Sequence, residues 1–146
     1  MAPRPPADAV VALRSLGRRY RALFAGLGED ESPDDVARRN GPDGWSAHDH
    51  VVAATDAVAA TARTIGGALG TTLSLPGEAI GESATVAEDI DALAAWAEAL
   101  AGGVEHVPAD RWADSDAAAS LWTAVDTAIE HLRQAERTLS EVRGRP

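Results

Sequence analysis

Four stretches of the chain place apolar residues at alternating steps of three and four, the spacing with which a helix buries one stripe of its surface. The first is Leu13, Leu16, Tyr20, Leu23, Leu27, and the second is Val51, Thr55, Val58, Ala62, Ile65, Leu69. The third is Ile90, Leu93, Ala97, Leu100, Val104, and the fourth is Leu121, Val125, Ala128, Leu132, Ala135, Leu139, Val142. No stretch sustains a period-two alternation with β-branched residues. The pattern predicts helices near 7–27, 46–69, 86–105 and 115–142 and no sheet.

Local punctuation agrees. Pro5 and Pro6 precede the first helix, and Gly26 and Gly28 follow its last turn. Ser46 stands three residues before Asp49, and Thr85 three before Glu88, the spacing of a capping box. Asp114 or Ser115 is placed to cap the fourth helix, while Gly66, Gly67 and Gly70 fray the second and Gly102 and Gly103 weaken the third. Two connections, 29–44 and 71–85, are long for a compact domain, where such segments are often lids or mobile covers. The second carries Leu73, Leu75 and Ile80, so it is expected to fold over the helices. Four amphipathic helices with long loops after the first and second make an all-α four-helix bundle, one domain over 1–146, with any site built from side chains facing inward.

Composition narrows the chemistry. Thirty-two residues are Ala, so much of the 45% hydrophobic content is small and favours close helix packing. All 13 basic residues are Arg, a bias typical of a high-GC bacterial genome, and without Lys there is no Schiff-base or lysine general-base chemistry. With no Cys there is no disulfide, thiolate nucleophile or thiolate metal site. The net charge of −10 repels phosphate backbones and argues against a nucleic-acid partner. Arg14, Arg18, Arg19 and Arg21 read as the solvated side of the first helix. No apolar run approaches the ~20 residues of a membrane span, and the start lacks the apolar core of a signal peptide, so a cytoplasmic location without membrane partners is expected. Gly-rich phosphate loops, Cys–His pairs and nucleophile elbows are missing, and carboxylate pairs such as Asp34–Asp35 and Glu88–Asp89 read as caps and solvated faces.

The stretch Gly44-Trp45-Ser46-Ala47-His48-Asp49-His50-Val51-Val52-Ala53-Ala54 resembles the start of the second helix of the DinB-like superfamily, which includes the mycothiol-dependent maleylpyruvate isomerase-like proteins. The segment His131-Leu-Arg-Gln-Ala-Glu-Arg-Thr-Leu139 is similar to the family's His-x-x-x-His segment, and Trp112, just before the fourth helix, also fits the family's pattern. The resemblance implies three metal-binding histidines. Carried over by position they fall on Ala53, Thr127 and His131, so only His131 is an imidazole and the metal chemistry is expected to be lost, with no cofactor implied.

Two histidines therefore carry the candidate chemistry. With Ser46 as N-cap, Trp45 and His50 occupy the two positions of a hydrophobic staple, although a polar pocket or a substitute ligand with His131 and Asp126 is also open to His50. His131 either bonds a carbonyl or water or faces a pocket beside Ala53, Trp122 and Thr127. His48, ~200° around the helix from His50, reads as a surface residue, as does His106. The resulting expectation is a small cavity between the second and fourth helices at Ala53, Thr127 and His131, framed by Trp45, His50 and Trp122 and covered by 71–85. There the chain binds or acts on a small organic molecule without a metal, with His50 or His131 as acid or base. Thiol-dependent, metal-assisted transfer or isomerisation is the alternative that the resemblance implies, and a homodimeric interaction module is the third.

Overall fold

The computed structural model describes residues 4–27, 31–76, 85–113 and 115–143. Among them lie six helices and no strand: α1 (Pro6–Ala22), α2 (Pro33–Ala37), α3 (Ala47–Leu69), α4 (Val86–Val104), α5 (Ala109–Ala113) and α6 (Ala117–Arg143). The chain is all-α, as its periodicity requires. No helix among the described residues is long and apolar enough to cross a membrane.

Caps set most boundaries. Ser46 and Asp49 close a reciprocal box at the start of α3, and Thr85 and Glu88 close another at α4. Ser115 accepts the N–H of Ala117 at the start of α6, whereas Asp114 lies outside the described residues. The first helix is shorter than expected. Beyond Ala22 the amides of Leu23, Phe24 and Ala25 bond back three residues rather than four, a tightening common in a last turn. Leu23, Phe24 and Leu27 still pack against the core, so the apolar rhythm outlasts the helix. The expected 29–44 loop contains α2, capped by Ser32 and anchored by buried Val36 and Ala37. Five residues are too few to show a helical period, and the same holds for α5.

The large helix interfaces run between α1 and α4, α1 and α6, α3 and α4, and α3 and α6. Directions follow from the contacts. Arg21–Asp91 and Arg14–Glu105 make α1 antiparallel to α4. Arg4 meets Trp122 and Asp126 near the start of α6, and Arg143 meets Gly26 near its end, so α1 and α6 run together. His48 meets Asp89 at the starts of α3 and α4, while Leu73 packs at Gly66 and Gly103 near their ends, so α3 and α4 are parallel. Two consecutive parallel helices need a connection that returns along their full length, about 34 Å for α3 at 1.5 Å per residue. The fifteen steps from Gly70 to Thr85 reach at most ~50 Å. The length of this connection is thus a demand of topology. Its described part, through Pro76, sits at the far end of α3, about 24 Å along the axis from His50. There Leu73 is partly buried and Leu75 exposed, and Ile80 lies outside the described residues.

The core is one cluster of Ala, Val, Leu and Ile around buried Tyr20, with a satellite of Val36, Ala47, Ala135, Leu139 and Val142 at the end where α2 packs. Tyr20 donates its hydroxyl to the Ala128 carbonyl at 2.6 Å, tying α1 to α6, and burial pushes the phenol above its ordinary range so that it keeps this proton. Small residues let the axes approach: a Cβ at Gly17 of α1 would lie 2.8 Å from the Ala94 Cβ of α4. Gly17→Leu should therefore cost about 1–3 kcal/mol or more by overpacking. Gly67, with nothing within 4 Å of an added Cβ, should gain about 0.5–1 kcal/mol on conversion to Ala. Urea denaturation of the two variants checks both signs.

Candidate functional site

The site is built at the first turn of α3. Gly44 takes a positive φ of 86°, a conformation that suits a residue without Cβ, and the turn it makes is closed by the Gly41 N–H donating to the Trp45 carbonyl at 2.8 Å. Asp43 accepts the Trp45 N–H at 3.0 Å. Ser46 Oγ then accepts the Asp49 N–H at 3.1 Å while the Asp49 carboxylate accepts the Ser46 N–H at 2.9 Å. With the start of the helix so fixed, Trp45 and His50 meet as a staple: their ring centroids are 4.8 Å apart and their planes 21° from parallel.

His50 is 2% exposed and directs Nδ1 at Nδ1 of His131 on α6, 2.9 Å away. The His131 ring also lies 6.1 Å from Trp45 at 22°, so the three rings form one group across the α3–α6 seam. A nitrogen–nitrogen hydrogen bond requires one ring to hold a proton at Nδ1 and the other a lone pair there. Two doubly protonated rings cannot make it. Burial, then the proximity of His131, pushes the pKa of His50 below its ordinary value of 6.5, against the opposing pull of Asp43 and Asp49. Burial also lowers His131, against Glu130. Nε2 of His50 is buried with no hydrogen-bond partner among the described residues. The His131 ring is partly exposed.

His48 is not a surface residue. It is 7% exposed, and Nε2 bonds the carboxylate of Asp89, itself 2% exposed, on α4. Asp89 is likewise not on a solvated face, and its Oδ1 is buried without a hydrogen-bond partner among the described residues. Asp34 of α2 accepts the Val86 N–H at the start of α4 at 2.9 Å, three residues before Asp89. The signal was present. Stepping back three residues from Val51 lands on His48, and Asp89 stands three residues after Val86 on the buried side of α4. Both polar residues occupy stripe positions.

The other expected site residues are distributed. Ala53 is partly exposed and lines a shallow depression of about 420 Å³ with Trp45, Asp49 and Asp56, a depression that neither His131 nor Thr127 borders. Thr127 is partly buried one turn before His131, but the nitrogen partner of His131 is His50 rather than Thr127. Trp122 and Asp126 belong to a separate cluster around Arg4. Arg4 forms a bidentate pair with Asp126 at 3.0 and 2.6 Å, lies 4.0 Å over the Trp122 ring, and accepts the indole N–H at its carbonyl. His106 is solvated, with a 91% exposed side chain. A family-type metal does not fit these residues. Two of its three positions carry a methyl and a hydroxyl group, Nδ1 of His131 is engaged by His50, and no group of three His, Asp or Glu side chains among the described residues is arranged to hold an ion.

Two outcomes follow from this geometry. Removing one member of the buried pair, as in Asp89→Ala, should cost at least ~2 kcal/mol, whereas a His48→Leu/Asp89→Leu double variant should recover much of the loss, because no polar group is left orphaned. Chemical denaturation measures both. For His50 and His131 the folded pKa lies below the unfolded one, so the unfolded chain binds more protons and stability rises with pH in that interval. Their contribution is complete above about 6.5 and is lost as pH falls from there through the lowered folded values. Denaturation midpoints measured from pH 7.5 to 5 should fall in wild type, and the fall should shrink in the His50→Gln/His131→Gln variant. Compared with family models, curated proteins and solved structures, the chain matches none.

Proposed function

We propose that the chain is a DinB-like four-helix bundle that binds a small organic molecule against Trp45, His50 and His131 and carries out acid–base chemistry there without a metal. The observation that carries this reading is the Nδ1–Nδ1 bond of 2.9 Å between an enclosed imidazole and a partly exposed one. It supplies a two-ring base with an outer end at Nε2 of His131. When that nitrogen takes a proton from a bound molecule, the positive charge stays on His131, the more exposed of the two rings, and its Nδ1–H donates to the Nδ1 lone pair of the neutral His50. At rest, burial keeps the pair uncharged near neutral pH, the state a general base needs. Support for the bundle comes from four long helices in which α1 and α6 run one way and α3 and α4 the other, with both histidines on facing helices.

A thermal-shift panel on chelator-treated protein tests the proposal, using Zn²⁺, Ni²⁺, Mn²⁺, low-molecular-weight thiols and small organic molecules as separate arms. Any molecule that binds only the native state at about 100 times its Kd adds about 2.7 kcal/mol and raises the midpoint by several degrees. At least one organic molecule should do so in wild type and fail to do so in His131→Ala. A rise with metal alone, lost in the same variant, would overturn the metal-free reading.

A further inference from the structure

We propose that the depression beside Trp45, which His50 and His131 do not line, selects a small organic cation, an inference that rests on the reading of the Trp45 end of the α3–α6 seam as a small-molecule site. Trp45 is 43% exposed although its ring is held by His50 beneath it. Two other tryptophans carry a guanidinium over the ring: Arg4 lies 4.0 Å over Trp122 and Arg63 lies 4.8 Å over Trp96. Among the described residues no guanidinium lies over Trp45. Trp45 lines a depression of about 420 Å³, with Val52 and Ala53 as its apolar part.

Charge decides the sign of the occupant. Asp49 and Asp56 line the depression, and Asp43 holds the Trp45 backbone N–H. Asp56 is exposed and makes no ion pair or hydrogen bond among the described residues. The helix dipole at the start of α3 favours an anion by about 0.3–1 kcal/mol. However, Asp49 already closes that terminus with a full negative charge in its capping box, and the chain carries −10 overall. An anionic ligand would meet the carboxylates of Asp49 and Asp56, whereas an ammonium or guanidinium meets the Trp45 indole and an Asp56 carboxylate unpaired among the described residues. The alkyl part of such a ligand is matched by Val52 and Ala53.

The test is ¹H–¹⁵N NMR of the full chain, following the Trp45 indole N–H, which is assigned with Trp45→Phe. The probes are choline, its neutral isostere 3,3-dimethyl-1-butanol, and benzoate. Choline should shift the Trp45 signal saturably, with weaker binding at high salt and an apparent Kd about 2–5-fold higher in Asp56→Asn, the loss expected for one exposed charge contact. The neutral isostere should leave the signal in place. Equal binding of choline and the isostere, or a Kd unchanged in Asp56→Asn, overturns the cation assignment. Saturable binding of benzoate without choline overturns it as well but leaves the small-molecule reading standing. Silence at Trp45 with all three probes counts against both.

Discussion

The position at which α3 begins governs everything else at this end of the molecule. Ser46 and Asp49 exchange two hydrogen bonds that define the first helical residue. From that point the phase of the helix is set at 100° per residue. Ala47 enters the satellite core, His48 turns to α4 and meets Asp89, and His50 turns to α6 and meets His131. A start displaced by one residue would rotate all three by a quarter turn or more. The buried carboxylate of Asp89 would then lose its partner, and the imidazole of His131 would face α3 without one. Two weak local bonds thus hold in register two tertiary contacts whose disruption leaves buried polar groups unpaired.

The alanine content works in the same direction. Helices whose facing residues are Ala and Gly come close enough that there is little slack for a ring to swing, as the contact of Gly17 with Ala94 illustrates. Large side chains are few and are used at seams: Tyr20 bridges α1 and α6, and Trp45 closes the seam between α3 and α6. Rigidity around the two histidines comes from this packing. The imidazoles themselves contribute one hydrogen bond and leave one nitrogen unsatisfied.

The four long helices were legible because each carries five to seven stripe positions, enough for a period of 3.6 to stand out. The caps at Ser46 and Thr85 were legible because a capping box is a local pattern, and the staple of Trp45 on His50 follows from the cap by counting. The helices α2 and α5 were hidden by their shortness. Asp89 and His48 were hidden by a rule of thumb that sends charged residues to solvent, although each sits on the apolar stripe of its helix. The partner of His131 was not visible because it depends on the relative height of α3 and α6, a quantity that no spacing within either helix contains. Ala53 was grouped with His131 by positional analogy, and Trp122 as a tryptophan expected to frame the same cavity. One borders an open depression and the other is held by Arg4 from the first residues of the described chain.

The parallel course of α3 and α4 has a further consequence. Each large interface pairs a helix from before the long connection with one from after it: α1 with α4 and α6, and α3 with α4 and α6. Among the described residues neither half of the chain contains a large helix–helix interface of its own. The first half cannot fold and wait for the second, because its two long helices touch mainly through partners not yet supplied. The helix interfaces are therefore non-local in sequence, closer to the joining of two subunits than to the zipping of neighbouring hairpins. Cut at the connection, the two pieces would each present an open apolar face to which the other piece is the complement.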